Sequence, residues 1–392
     1  MNTSSKKWYQ RIKLPRGVII AICALPAVLT ALFYVMRSLT SAMDWTALYV
    51  AAPVRGFFGM LSGLYPFSMM EILLTVAGIG LIYYIISSVA TAMRRRGRWK
   101  ILGIRLLPVA VAALYIWGVF CWLWNSGYHA PGFAERNGFS GGGVPLESLV
   151  EVTGIFAEKA SELSVLVPRD DDGSYLGNRR EMFAASLDVY QNISSEFPSL
   201  GGKLYRPKPM IYSWLMSRTG YTGMYFALTG EANINTRPPE ALMPATVAHE
   251  HAHQLGVFAE DEANFVGILG CVTSGDVIFE YAGYLSGLSH LLSALGREDK
   301  EAYRSIMDNL SEEVLGDWRE NSEFWQAQKR VETGIGFLDK LLTSVTVTVS
   351  DAVDTVYDGY LKSNNQELGI KSYGACVDLL VEYFAPQASS LQ

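Results

Sequence analysis

Three long runs of apolar residues lie in the first third of the chain. They cover residues 17–36, 67–93 and 106–124, and Glu71 is the only charged residue within them. A helix needs about 20 mostly apolar residues to cross the hydrocarbon core of a bilayer. We therefore predict three membrane-spanning helices and the lipid bilayer as a partner. The first run could instead be a cleaved signal peptide, but it is long and lacks a small-residue cleavage site, which favours an uncleaved span.

Basic residues predict the orientation of these spans. Five lie in residues 1–16 and five more in residues 94–100, whereas only Arg37 and Arg55 separate the first two runs. Lys and Arg concentrate on the cytoplasmic side of membrane proteins. We therefore expect a multi-pass protein of the cell membrane with a cytoplasmic N-terminus. Everything after Trp124 is then extracytoplasmic.

The chain divides into a membrane part, a linker and one further domain. The membrane part is residues 1–125, and the linker is residues 126–145, which are rich in Gly and Pro. Residues 146–392 show mostly helical periodicity. Alternation and aromatic content at residues 204–235 predict a small strand element. The predicted fold class is therefore mainly α: three transmembrane helices followed by a mostly helical extracytoplasmic domain.

The charge of residues 126–392 and the pattern of residues 45–66 add two further expectations. Residues 126–392 contain 19 basic and 36 acidic residues, a net charge of −17. Because phosphate binding needs positive charge, we expect no nucleic-acid partner. Residues 45–66 are apolar and aromatic, and the pattern fits either helical pieces in the membrane interface or a buried loop.

Candidate metal chemistry lies at residues 249–253, which read His-Glu-His-Ala-His. His249 and His253 are four residues apart and so lie on one face of a helix. A proline before the motif and a glycine after it are typical of helix ends. In the H-E-x-x-H pattern two imidazoles bind zinc and the Glu acts as general base. We therefore predict His249 and His253 as ligands of Zn2+ and Glu250 as the catalytic residue.

The same pattern also has a plainer interpretation. An H-E-x-x-H match can occur by chance on a solvated helix, but histidines are rare elsewhere in this chain and the flanks are apolar. His251 points away from the face that carries His249 and His253, so packing suits it better than metal binding.

The third ligand is expected shortly after His253. A catalytic zinc has three protein ligands and one open position. Glu260 and Glu262 are the candidates, and a helical hairpin around the intervening turn would bring a residue near Glu262 level with the two histidines. The spacing does not decide between Glu260 and Glu262 as the third ligand. Asp261, or the Glu that does not bind, could orient a ligand.

The chain resembles an uncharacterised bacterial family of three-span membrane proteins with a predicted zincin-type zinc-peptidase domain. The resemblance rests on the three spans and on residues 220–223, 230–235, 249–264, 281–285, 360–365 and 372–374. In several zinc-peptidase families the third ligand is the Glu of an E-x-x-A-D/N pattern. Here that pattern selects Glu260 and gives Asn264 a supporting role. The resemblance implies a zincin-like fold but no substrate.

The expected function is therefore zinc-dependent hydrolysis of peptide bonds by a membrane-anchored enzyme. The expected substrate is an extended peptide or protein outside the cytoplasm and close to the membrane. The alternative is a non-catalytic, zinc-stabilised envelope sensor or scaffold. A fourth protein ligand on the metal, for example His251, would favour the alternative, because a closed site has no position for water.

Overall fold

The computed structural model describes residues 15–95, 97–140, 142–329, 336–363 and 373–388. These residues are mainly helical and include one small three-stranded sheet. The predicted mainly α class is confirmed, and so are the three long apolar helices and the small strand element.

The membrane part is helical almost throughout. It contains α1 (Arg16–Met36), α2 (Thr40–Thr46), a π-helical turn (Ala47–Ala51), α3 (Ala52–Ser62), α4 (Met69–Met93), α5 (Arg98–Phe120), a second π-helical turn (Cys121–Asn125) and α6 (Ser126–Tyr128). α1, α4 and the continuous helix Arg98–Tyr128 are long and apolar enough to cross a membrane. The third span begins at Arg98 rather than at residue 106, because nearby basic residues lower the hydropathy without preventing a helix.

Residues 45–62 are helical, residues 63–66 form a turn, and the whole segment exposes aromatic side chains. The exposed ones are Trp45, Tyr49, Phe57, Phe58 and Tyr65. Such a surface agrees with helical pieces in the membrane interface. Arg55 is instead buried, and its Nη1 donates a hydrogen bond to the carbonyl oxygen of Leu123 at 2.8 Å. This bond fastens α3 to the end of the third span.

The remaining elements form the folded domain. They are α7 (Phe133–Arg136), α8 (Leu146–Ser164), α9 (Arg179–Ala185), β1 (Lys208–Pro209), α10 (Ser213–Arg218), β2 (Gly223–Phe226), β3 (Glu231–Ile234), α11 (Met243–Leu255), α12 (Glu260–Val272), α13 (Val277–Glu298), α14 (Lys300–Met307), α15 (Glu312–Gln328), α16 (Gly336–Ser363) and α17 (Tyr373–Ala388). Helices α8, α11, α12, α13 and α17 pack around a core that includes Phe156, Phe265 and Leu285. Within residues 126–145, which we expected to be a linker, residues 126–128 complete the third span, residues 133–136 form α7, and Phe133 is buried in this core.

The sheet has the strand order β1-β3-β2. β1 pairs in parallel with β3, and β2 pairs antiparallel with β3, with Tyr225 opposite Ala232. β2 is therefore an edge strand of the described sheet, and it packs against α11. This arrangement places an extended backbone segment beside the helix that carries the histidine motif.

Two buried carboxylates join the sheet to the second span. Glu231 on β3 accepts hydrogen bonds of 3.0 and 2.9 Å from the first two backbone N–H groups of α4. Glu71, in the first turn of α4, accepts bonds of 2.9 and 2.7 Å from the N–H groups of Ile211 and Tyr212. Helix starts carry unpaired N–H groups and favour negative charge. Each carboxylate therefore satisfies backbone donors of the other part, which holds the sheet against one end of the span.

Candidate metal centre

Helix α11 presents His249 and His253 on one face, as the sequence predicts. Pro244 lies in its first turn, and Gly256, whose φ of 94° favours glycine, caps its end after Leu255. The imidazole rings of His249 and His253 have centroids 4.7 Å apart. The pair therefore faces a single point outside the helix.

Helix α12 returns close alongside α11. A Cβ atom added at Gly267 would lie 2.9 Å from the backbone nitrogen of His249, which is closer than real contacts allow. Glycine at this position lets the two helix backbones approach each other. The close approach brings the first residue of α12, Glu260, level with the two histidines.

The carboxylate of Glu260 completes a group of three potential ligands. Its Oε2 lies 3.3 Å from Nε2 of His249 and 3.6 Å from Nε2 of His253. One ligand atom from each residue lies within 4.8 Å of the other two. In a tetrahedral zinc site with bonds of about 2.0–2.1 Å, neighbouring ligand atoms are about 3.3–3.4 Å apart. The spacing of these three groups fits such a site.

The surroundings of His253 orient its ring. Its Nδ1 donates a hydrogen bond to the carbonyl oxygen of Val257 at 2.7 Å, which leaves the lone pair on Nε2. Metal-binding histidines commonly donate their other N–H in this way. On its other side the ring meets Trp124 of the third span edge-on, with centroids 5.7 Å apart. The candidate ligand therefore packs directly against a membrane helix.

Charge at the centre favours a cation. Burial raises the pKa of Glu260, but the charge of His253 and hydrogen bonds from both imidazoles hold this pKa well below its usual range. Burial lowers the pKa of His253, but the charge of Glu260 more than reverses this effect and raises the pKa to about 9. The carboxylate thus stabilises positive charge beside the imidazoles, which a proton or a divalent cation can supply.

Glu250 is buried beside the centre and points towards β2. A Cβ atom at Gly223 would come within 2.5 Å of its Oε1. Its Oε2 is buried and makes no hydrogen bond. Burial raises the pKa of Glu250 above its usual range, although the nearby His249 and His253 counteract this. A desolvated carboxylate with an unpaired oxygen is well suited to accept a proton.

The structure separates the two candidates for the third ligand. Both oxygens of Glu262 accept hydrogen bonds from backbone N–H groups at the start of α7, those of Phe133 at 2.8 Å and Ala134 at 2.9 Å. Glu262 therefore faces away from the histidines. We expected a helical hairpin to bring a residue near Glu262 level with the histidines, but α12 begins at Glu260, and two residues rotate a helix by about 200°.

The other predicted residues fall into two groups. Asp261 and Asn264 lie on the wall of the cavity that adjoins the centre. His251 is buried on the opposite side of α11, with its Nε2 3.1 Å from Oγ of Ser186. Burial lowers the pKa of His251 to about 3, so the ring is neutral at physiological pH. Its position agrees with a packing role.

Tyr357 on α16 is a residue that the sequence analysis missed. Its hydroxyl donates a hydrogen bond to Oε1 of Glu260 at 2.6 Å, and the two residues are 97 positions apart. Such a bond fixes the carboxylate while Oε2 faces the histidines. No spacing rule links Tyr357 to the motif. The same applies to His290 on α13, which is partly buried near His249 and lines the cavity, and whose pKa burial lowers to about 4.

A cavity of about 1160 Å³ adjoins the centre. The strand β2 lines one wall, and α16 contributes Val356 and Tyr357 to another. Phe120 and Trp124, near the end of the third span, also line it. The cavity therefore lies between the folded domain and the membrane helices.

The protein is mainly helical and has three candidate membrane spans, and its folded domain brings two histidines and one glutamate around one point. The chain belongs to a family described as a protein of unknown function, DUF3810, whose profile matches residues 47–381. No curated protein and no solved structure gives a significant match. The matched region includes the three candidate ligands and two of the candidate spans.

Proposed function

We propose that this protein is a membrane-anchored zinc peptidase that hydrolyses peptide bonds of an extended polypeptide close to the membrane. The convergence of His249, His253 and Glu260 beside the buried carboxylate of Glu250 carries the proposal. A chance motif on a solvated helix would not require a third ligand from a second helix or a desolvated base.

The three ligand residues would hold the metal. When bound, zinc would polarise the scissile carbonyl and lower the pKa of a coordinated water towards ~7. His249 and His253 would bind through Nε2, and Glu260 through the oxygen that faces them. Three protein ligands leave a position for water, which is the arrangement of catalytic sites.

Glu250 would act as the general base and then as the general acid. Its carboxylate takes a proton from the attacking water as the new C–O bond forms. It then passes this proton to the amine nitrogen as the C–N bond breaks. Its unpaired Oε2 and its raised pKa support this role.

The edge strand β2 would align the substrate. An extended peptide can add to a sheet edge through main-chain hydrogen bonds. β2 lies on the cavity wall and ends the described sheet, and Glu250 lies directly beneath Gly223. The scissile bond of a peptide on this strand would pass close to both Glu250 and the metal.

We further propose that the domain is zincin-like and extracytoplasmic. A helix with two histidines next to an edge strand supports the first point. The excess of basic residues before the first span and between the second and third supports the second. A fourth protein ligand would favour the sensor or scaffold alternative, but His251, the residue we named for that role, faces Ser186.

The direct test compares the parent protein with Glu250→Gln. Full-length protein in detergent would be assayed with a randomised pool of quenched fluorescent decapeptides. We expect hydrolysis that a chelator abolishes and zinc restores. Glu250→Gln should bind zinc like the parent, with a rate about 10²–10⁴-fold lower, because the amide cannot accept a proton.

Glu262→Gln is the matched control, since it removes a carboxylate of the same region that faces away from the centre. It should retain hydrolysis. Equal activity of the parent and Glu250→Gln, or no activity in a zinc-loaded parent, would overturn the proposal and favour the scaffold.

A further inference from the structure

A small apolar surface lies beside the rim of the cavity. Ile211, Trp214 and Leu215, at and just before α10, are 73%, 52% and 48% exposed. We call these three side chains the α10 face. Residues 219–224, which follow α10 directly, line the cavity as far as β2. A molecule that covers the α10 face therefore lies next to β2, the strand proposed to bind the substrate.

Contacts with the second span place the α10 face at the depth of the bilayer. The hydroxyl of Tyr212 lies 3.0 Å from Oγ1 of Thr75, and Glu71 binds the neighbouring backbone. Thr75 lies about 9 Å along α4 from Met69, at about 1.5 Å per residue. The whole helix is about 37 Å long, against a hydrocarbon core of about 30 Å. When α4 is centred in the hydrocarbon core of the bilayer, Thr75 lies about 5 Å inside the edge of that core.

The charge of this segment also fits a membrane. Residues 203–230 contain no acidic residue and four basic ones, of which Lys208 is buried, although residues 126–392 as a whole carry a net charge of −17. Carboxylates are costly in lipid, whereas Lys and Arg are attracted to anionic headgroups. Trp is enriched where a protein meets the membrane interface. The absence of acidic residues therefore coincides with the part of the domain that reaches the second span.

The opposite wall of the cavity, which includes the third span, lies at a similar depth in the bilayer. Phe120, which lines the cavity, lies about 12 Å along the helix from Tyr128. That span is about 46 Å long, so with the helix centred Phe120 lies about 4 Å inside the core. Its ring meets the ring of Tyr360 on α16, with centroids 6.1 Å apart. The cavity therefore extends to the level of the hydrocarbon.

We propose that the α10 face is embedded in the leaflet nearest the folded domain, and that the cavity opens at this lipid surface. A polypeptide held in that leaflet by an apolar anchor then reaches β2 without leaving the bilayer. The embedding rests on the contacts with the second span, on the charge of residues 203–230 and on the depth of the third span, and it does not depend on the proposed function. The substrate class, a membrane-anchored polypeptide, rests on the proposed function.

The embedding can be measured without any activity. In a Cys23→Ser background, a spin label at Ile211→Cys would be compared with one at Glu158→Cys, on the exposed surface of α8, in full-length protein reconstituted into vesicles. The label at 211 should be accessible to oxygen and protected from a water-soluble nickel chelate, and the label at 158 should show the reverse. Equal protection from nickel at the two sites would overturn the embedding.

The substrate class needs a second experiment in the same vesicles. The decapeptide pool would be presented with and without a sixteen-carbon acyl chain. Trp214→Glu should lower hydrolysis of the acylated pool about tenfold or more, because a carboxylate is disfavoured in hydrocarbon. Hydrolysis of the free pool should not change, which also shows that the variant is folded.

The possible failures can be told apart. If the variant lowers hydrolysis of both pools equally, or of neither, the α10 face does not select anchored substrates. If the parent hydrolyses neither pool, the proposed function fails and the substrate class fails with it. The spin-label result still decides the embedding.

Discussion

Glu260 and Glu262 show how two residues of one turn can have unrelated roles. Glu260 faces His249 and His253, whereas Glu262 binds the start of α7. We predict that Glu260→Gln loses zinc and that Glu262→Gln keeps one zinc per chain, as metal analysis of the purified proteins would show. Full zinc content in both variants would contradict the ligand assignment.

Tyr357 provides a second prediction for a single residue. Removing its hydroxyl with Tyr357→Phe should weaken zinc binding about 10- to 100-fold, as is typical for groups that orient a ligand. Competition with a fluorescent chelator would measure the affinity. Tyr360→Phe is the matched control, because its hydroxyl, on the same helix, bonds to Asn125 at 2.5 Å. Equal losses in both variants would indicate that α16 packing, and not the bond to Glu260, matters.

Sequence reasoning reached some of these residues and not others, for a physical reason. The helical period relates His249, Glu250 and His253 locally, so their placement on α11 follows from spacing. The direction of Glu260 depends on where α12 begins. The contact of Tyr357 depends on how α16 packs. Both are set by tertiary structure, which local spacing does not encode.

At the scale of elements, the close approach of α11 and α12 forms the centre. Gly267→Ala would place Cβ 2.9 Å from the nitrogen and 3.1 Å from Cα of His249, and backbone atoms cannot rotate aside. We predict a loss of about 1–3 kcal/mol in the free energy of unfolding, typical of overpacking, and weaker zinc binding.

Gly154→Ala in α8 is the control for this substitution. Its Cβ meets no atom within 4 Å. Because alanine favours helices over glycine, this variant should be more stable by about 0.5–1 kcal/mol. Denaturant unfolding of the two variants would give both values. A neutral Gly267→Ala would show that the helix pair can separate without cost.

The elements differ in how far the sequence predicts them. Apolar runs are sufficient for the three long helices, because a span needs only length and hydropathy. The start of the third span at Arg98 was missed because charges near a helix end do not prevent a helix. Residues 126–145 looked like a linker from their Gly and Pro content, yet Phe133 packs in the core. Composition does not show such long-range packing.

At the scale of the whole molecule, orientation decides which substrates the centre can meet. The distribution of Lys and Arg predicts that residues 126–392 are extracytoplasmic. A reporter enzyme that works only outside the cytoplasm should be active when fused after Gln392 and inactive when fused near Gly97. The reverse pattern would place the centre in the cytoplasm.

The central claim is an open zinc site on His249, His253 and Glu260. X-ray absorption at the zinc edge, on the purified full-length protein, tests it most directly. We predict one zinc per chain with two imidazole nitrogens and oxygen ligands that include water, at about 2.0–2.2 Å. Sulfur at about 2.3 Å, or a shell closed by four protein ligands, would contradict it. So would a protein that binds no zinc.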